Sequence, residues 1–216
     1  PENVARILNI RGGDGPNSPV PNSRLIICKT KKIFLISKIH KIKKLIKDKI
    51  IKSKEVIDIN KFHQEIVKLN GKNFIIDNKS CSIFYEDIIK SKFKIVKRED
   101  PTYLFKSVKN KTEIKNTINS HIIDGVALTK FIYWIKNINK KKITEVEAQN
   151  KLEKFRKINK SFLYPSFDTI AGAGKNGAIV HYRAKKDKCS VIKKKDIFLC
   201  DSGGQYKYGT TDVTRT

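Results

Sequence analysis

Between Ile33 and Val96, short apolar runs alternate with stretches in which apolar residues recur every three or four positions. The runs Leu25–Cys28 and Ile33–Ile36 flank Lys29-Thr30-Lys31-Lys32, which is a hairpin signal. Ile39, Ile42, Leu45, Ile46 and Ile50 follow at helical spacing with lysines between them. Such a basic amphipathic helix reads as a core-packing element with a solvated lysine face, not as a membrane-surface element. Val56–Ile59 predicts a strand, and Asn60 a cap for a helix carrying Phe62, Ile66 and Leu69 that stops near Asn70-Gly71. Asn73–Ile76 predicts a strand, Ser80 the start of a helix with Ile83, Phe84, Ile88 and Ile89, and Phe93–Val96 a further strand. This βαβ rhythm predicts an α/β layer with a largely parallel sheet. Upstream, Val4–Ile10 reads as a short strand, and Arg11–Ser23, rich in Gly, Pro, Asn and Ser, as a loop.

The rhythm breaks at Arg98-Glu99-Asp100-Pro101, which suggests a domain of residues 1–100 and another of 101–216. Thr112 is placed to cap a long helix from Glu113 to about Asn137, with Ile114, Ile118, Ile122, Val126, Ile132 and Tyr133 as its buried side. A basic turn is expected at Lys140–Lys142. Thr144 and Glu147 have the form of a capping box, and the helix behind them carries Val146, Leu152, Phe155 and Ile158. The remainder predicts strands at Phe167–Ala171, Ala178–Tyr182, Val191–Ile192, Ile197–Asp201 and Thr210–Thr216. Two helices followed by strands describe an α+β domain.

The 216 residues carry a formal net charge of +26, but only seven of the 47 basic residues are Arg. Arg is the residue whose planar fork matches phosphate and guanine. Lysines spread along the whole chain amid abundant Ile and Asn fit AT-rich coding DNA better than a surface selected for a polyanion. No specific nucleic-acid partner is therefore expected, and a basic polyanion-binding protein is the less favoured alternative. No apolar run approaches the roughly 18 residues of a membrane span, so no membrane partner is expected. The four cysteines are scattered without a C-x-x-C, which favours a reducing, cytoplasmic setting.

Candidate chemistry gathers at the end of the chain. Asp201 closes an apolar run, Gly203-Gly204 and Tyr206–Gly209 turn the chain, and Asp212 stands in the Thr/Val run that follows. A loop centred between Tyr206 and Lys207 sets Asp201 directly opposite Asp212, about 4.5–5.5 Å apart at Cβ. Carboxylates so close repel unless a cation lies between them, and two-metal hydrolases hold their ions about 3.5–4 Å apart. The alternative is a polar hairpin with two solvated acids. Gly172, Gly174 and Gly177 match G-x-G-x-x-G in spacing, but a strand-like AIVHY follows where a nucleotide fingerprint needs a helix. A glycine turn that carries His181 over a cleft is the better use of them.

These residues carry a resemblance. Asp201–Tyr206 (DSGGQY) with Thr210–Thr216 (TTDVTRT) resembles the metal-binding hairpin of Xaa-Pro aminopeptidases, members of the creatinase/prolidase "pita-bread" metallopeptidases. Asn176–Tyr182 (NGAIVHY) resembles the strand that carries their substrate-side His. Val108–Asn110 with Ser120–Leu128 (SHIIDGVAL) resembles the first long helix of their catalytic domain. Leu8–Asp14 (LNIRGGD) with Asn17–Val20 (NSPV) resembles part of the domain before it. The likeness runs across nearly the whole chain.

The resemblance implies an α/β fold class in detail: a partial creatinase N-terminal-like α/β domain, then the first part of a pita-bread α+β catalytic domain, incomplete at both ends. It implies that Asp201 binds one metal through both oxygens and Asp212 bridges two, usually Mn²⁺. A bridging hydroxide would then attack the bond before a proline in second position, with His181 holding the substrate. The family's other ligands are a His and two Glu on later strands, one Glu being the general base. No His follows Asp212 here, and no Glu follows Glu153. Two ligands of five imply a fragment inactive by itself, with a complementing C-terminal polypeptide or a non-catalytic relic or interaction module as alternatives. The resemblance also implies homo-oligomers of the full-length enzyme.

Overall fold

The computed structural model describes residues 1–138 and 142–216 in two compact units. The first comprises Pro1–Gly15 and Pro19–Val108, the second Pro16–Ser18 and Lys109–Thr216. Lys140 and Lys141 of the expected basic turn lie outside the described residues.

The first unit begins with a helix, α1 (Glu2–Leu8), where the apolar run had suggested a strand. Val4 and Ala5 share one helical face and are buried, while Asn9 takes a left-handed conformation and ends the helix. Asn accepts that conformation more readily than most residues, which explains the stop. Strands β1 (Arg24–Ile27) and β2 (Ile33–Ser37) form the expected antiparallel hairpin, with Leu25 facing Leu35. Helix α2 (Ile39–Lys47) buries Ile42 and packs Leu45 and Ile46 against Val4, Ile10, Leu35 and Ile51, so it is a core-packing helix.

Strand β3 (Val56–Asp58) then runs parallel to β2. The next cap is Asp58 rather than Asn60: its carboxylate accepts from the Asn60 amide at 2.9 Å and opens a short 3-10 turn that leads into α3 (Phe62–Ile66). Strand β4 (Asn73–Ile76) pairs in parallel with β5 (Lys94–Lys97) across α4 (Ile83–Lys90). Ser82, not Ser80, stands at the N-cap of α4, because the Ser80 hydroxyl is committed to Asp77 at 3.0 Å. Helix α5 (Thr102–Ser107) closes the unit. The parallel pairs are those the βαβ rhythm predicts, but they sit in two sheets, β1-β2-β3 and β4-β5, with β1 antiparallel. Both sheets feed one core that contains Ile26, Ile36, Ile57, Ile76 and Phe93.

The second unit is led by a long helix, α6 (Lys111–Lys136). Asn110 caps it, exchanging bonds of 2.9 Å with Glu113 in a capping box, two residues before the expected cap Thr112. Its orientation reverses the expectation drawn from hydrophobicity. Ile114, Ile118, Ile122 and Val126 are exposed, as is Tyr133, while Ser120, Asp124, Ala127, Leu128 and Phe131 are buried. Two contacts turn the polar face inward. Asp124 has charged and phenolic partners inside the unit, and the small Ser120 lets the backbone at Gly209 approach so closely that a Cβ there would overlap its hydroxyl.

After β6 (Ile143–Thr144) comes α7 (Glu145–Lys157), which starts on the expected capping box: Thr144 and Glu147 exchange bonds of 2.9 and 3.2 Å. The strands behind it are β7 (Phe162–Pro165), β8 (Ile170–Ala173), β9 (Val191–Ile192), β10 (Phe198–Ser202), β11 (Gly204–Tyr206), β12 (Gly209–Thr210) and β13 (Val213–Arg215). They form the ladders β13-β10-β8, β12-β11-β7 and β6-β9. The order of two helices followed by strands is as expected. The strand predicted at Phe167–Ala171 is displaced to β8, and β7 was not foreseen.

Candidate metal centre

Strand β10 carries Asp201 in the middle of a sheet, between β8 and β13. Its Cα partner on β13 is Thr214, whose hydroxyl donates to the Asp201 carboxylate at 2.9 Å. Gln205 faces Thr210 and Tyr206 faces Gly209, so a two-residue turn at Lys207-Tyr208 sets the register. Asp201 and Asp212 are therefore not directly opposed; Asp212 stands two residues before Asp201's partner. In a regular ladder that offset makes the acids diagonal neighbours on one face, about 7–8 Å apart at Cα. The reason is Tyr206, which the expected loop would have spent in the turn. Its ring packs against Phe162 at 5.6 Å and its hydroxyl donates to Asp124 at 2.6 Å, so it is held as a buried strand residue. Asp201 is half-buried and Asp212 exposed.

Gly203 and Gly204 lie in the path of the hairpin, not at its turn. A Cβ on Gly203 would overlap the Thr211 carbonyl oxygen and the Ser166 hydroxyl, which bond to each other at 2.8 Å. Gly203→Ala is expected to cost about 3 kcal/mol, the upper range for forcing atoms into a packed interior. Denaturation followed by fluorescence of Trp134, the single tryptophan, reports on this unit. A cost under about 0.5 kcal/mol would show that the hairpin shifts to accept a side chain.

Beneath the hairpin lies a buried polar network that the sequence reading missed. Arg156 of α7 donates to both oxygens of Asp124 on α6, at 2.6 and 3.1 Å, and to the Ser202 hydroxyl at 3.0 Å. The Tyr206 hydroxyl donates to the same Asp124 oxygen that accepts from Arg156 Nε, so two helices and the first arm of the hairpin, through Ser202 on β10 and Tyr206 on β11, meet at one ion pair. Burial, with the Asp124 charge behind it, pushes the Tyr206 phenol well above its ordinary range, so it stays a donor. Burial also pushes the neighbouring Cys200 thiol up to about 11. A signal was available: in a chain that uses Lys almost everywhere, an Arg on an otherwise apolar helix face marks a place where the bidentate fork is needed.

His181 is not on a strand. Gly174–Ala178 form a 3-10 turn, and His181 follows in a turn with φ of 54°, exposed. The apolar residues ahead of it find no partner strand, and Val180 is 83 % exposed. The expected strand is replaced because the next residue, Tyr182, is anchored elsewhere. Its hydroxyl donates to Glu145 at 2.8 Å, a fully buried carboxylate at the start of α7.

Among the described residues, no group of three or more His, Cys, Asp and Glu is arranged to hold a metal. The two Asp fit a divalent ion in kind, since carboxylate oxygens are hard donors, but not in number. His181 is not gathered with them. No helix among the described residues is long and apolar enough to cross a membrane.

Residues 1–113 match the creatinase/prolidase N-terminal domain, and residues 115–216 match metallopeptidase family M24. A probable Xaa-Pro aminopeptidase P of Pyrenophora teres f. teres is 35 % identical over 229 residues, covering 100 % of this chain and 35 % of that protein. One from Paracoccidioides brasiliensis (strain Pb18) is 38 % identical over 232 residues, covering 100 % of this chain and 37 % of that protein. The chain thus spans little more than a third of the curated relatives it matches. Among solved structures, an X-prolyl aminopeptidase from Caenorhabditis elegans, described as a cytosolic enzyme with a di-nuclear active site, superposes with a TM-score of 0.82 at 25 % identity, over 99 % of this chain and 36 % of that one. The prolidase from Pyrococcus furiosus shares the fold, with a TM-score of 0.69 at 22 % identity over 98 % of this chain and 62 % of that one.

Proposed function

Since the chain belongs to the creatinase/prolidase family of metallopeptidases, we propose that it contributes the first part of an Xaa-Pro aminopeptidase site. In this reading Asp201 and Asp212 are two carboxylate ligands of a pair of divalent ions, Mn²⁺ by preference, and His181 touches the substrate. The substrates are peptides with proline in second position, and the setting is the cytoplasm. Such ions, where bound, supply a nucleophilic hydroxide near neutral pH and polarise a carbonyl. The observation that supports the reading is the hairpin pairing of Asp201 with Thr214, two residues after Asp212, inside the part of the chain that matches family M24.

This chain's own contribution is support. The Thr214 hydroxyl orients the Asp201 carboxylate, and the Arg156–Asp124 pair holds Asp201's own strand through Ser202 and the following strand β11 through Tyr206. The remaining donors and the general base must come from other residues, so hydrolysis by this chain alone is not expected.

The test is a Mn²⁺ titration of the ¹⁵N-labelled chain. Paramagnetic broadening is expected first at the amides flanking Asp201 and Asp212, and is expected to fade in Asp201→Ala and in Asp212→Ala. Broadening that spares the hairpin, or that neither variant changes, would overturn the metal assignment. Turnover of Ala-Pro-Ala by this chain with Mn²⁺, lost in Asp212→Ala, would overturn the need for donors from elsewhere.

A further inference from the structure

Residues 174–190 contain little regular structure: the 3-10 turn, the turn at His181 and a lone bridge between Lys185 and Lys188. Within the segment the backbone bonds are local, such as Ile179 to Asn176 at 3.2 Å and Tyr182 to Ile179 at 3.1 Å, and at its start the Gly174 amide donates to the Ile197 carbonyl at 2.8 Å. Arg183 pairs with Asp168, and most of the other ties of the segment meet at a single side chain. Glu145, 0 % exposed, accepts from the Ala173 amide at 2.7 Å, the Ser190 amide at 2.8 Å and the Tyr182 hydroxyl at 2.8 Å. The Asn176 amide nitrogen lies 3.0 and 3.2 Å from its two oxygens, 3.0 Å from the Tyr182 hydroxyl and 2.9 Å from the Ser190 hydroxyl. That nitrogen has two hydrogens, so it serves two of these acceptors at a time. Each choice keeps the segment on the same carboxylate. The Glu145 amide in turn donates to the Ser190 carbonyl at 3.0 Å. Both ends of the segment and two points within it therefore converge on the first turn of α7, where the helix dipole favours a negative charge.

His181 lies between two of those anchors, Asn176 and Tyr182, in a left-handed conformation that is uncommon for a residue with a Cβ. We propose that Glu145 is a positioning residue for His181: its carboxylate sets the turn that presents the imidazole. The proposal rests on the reading of His181 as a substrate-side group for its functional meaning, though not for its geometry. It gives work to a buried acid that is no metal ligand and touches no substrate.

The test is NMR on the whole labelled chain. In Glu145→Gln the amide cannot accept from all four donors. The amide-to-Hα coupling and the Cα shift of His181 are expected to leave the left-handed range. Hydrogen exchange at residues 173–190 is expected to rise about tenfold or more, while exchange within α6 stays unchanged. Tyr182→Phe removes one donor without disturbing the carboxylate; it is expected to act in the same direction more weakly, and it carries the test if Glu145→Gln does not fold. An unchanged His181 signature in the variants that fold would overturn the proposal, as would exchange rising equally through the whole second unit. Ala-Pro-Ala added to the wild-type chain and to His181→Ala separates the two ideas. If the peptide shifts no signals near residue 181 while Glu145→Gln still releases the turn, the substrate reading of His181 fails and the positioning role stands.

Discussion

Arg156→Ala is expected to lower the unfolding free energy of the second unit by about 3–5 kcal/mol, the cost of breaking a buried ion pair from one side. The side chains are 2 % and 0 % exposed, so the Asp124 charge left behind would have no water to turn to. The Tyr206 hydroxyl would remain its lone partner from the network, and Ser202 would lose its bond. The check is urea denaturation followed by Trp134 fluorescence, with Asp124→Leu and the double variant Asp124→Leu/Arg156→Met completing a cycle. The double variant is expected to recover much of the loss, because no unpaired charge remains buried. Strictly additive costs would show that the two residues do not act as a pair. The network matters beyond stability, since Ser202 directly follows Asp201 on β10 and Tyr206 stands on the next strand of the same hairpin arm.

The second large effect is expected at Glu145. Glu145→Ala leaves the buried amide of Ala173 and the half-buried amide of Ser190 without their carboxylate partner, at about 1–3 kcal/mol for a buried one, so a total near 3 kcal/mol is expected. Acid acts through the same group. Burial opposes its charge, but the Ala173 and Ser190 amides, Asn176 and Tyr182 outweigh it and hold the carboxyl below its ordinary value near 4.5. A carboxyl whose folded pKa is depressed stabilises the fold fully above the unfolded value, and that contribution is lost as pH falls through the folded value. The stability gap between the wild type and Glu145→Gln is therefore expected to be widest at neutral pH and to narrow below about pH 4.5. A gap that stays constant down to acid pH would show that the carboxylate's charge is not what the segment uses. In the opposite direction, the Tyr182 phenol, pushed up to about 12 by burial and then by Glu145, stays protonated and donating across the neutral range.

Much of the organisation was legible in the chain. The hairpin around Lys29–Lys32, the parallel pairs β2-β3 and β4-β5, the Thr144–Glu147 capping box and the order of helices before strands follow from local patterns: period, turn residues and caps. Motif likeness identified the family from stretches such as Asp201–Tyr206, where a candidate ligand stands beside residues that only close packing allows, such as Gly203. The misses share another cause. Val4–Ile10 was too short for its period to be unambiguous, and Asn60, Ser80 and Thr112 gave way at the N-caps to Asp58, Ser82 and Asn110.

The larger misses were tertiary. The Ile stripe of α6 reads as a buried face by hydrophobicity, yet Ile122 is 62 % exposed and Asp124 is wholly buried. Polarity predicts exposure only when a side chain has no buried partner, and Asp124 has two, thirty or more residues away along the chain. The same long-range bonds keep Tyr206 in its strand, move the turn to Lys207-Tyr208 and make Thr214, not Asp212, the partner of Asp201. Glu145 likewise takes His181 out of a strand and into a turn. By itself, then, the sequence determined the order of elements, the family and the identity of the candidate acids, since each is written in neighbouring residues. Which helix face is buried, the register of the hairpin and the presentation of His181 were decided only in three dimensions, where buried charges choose partners that sequence spacing does not reveal.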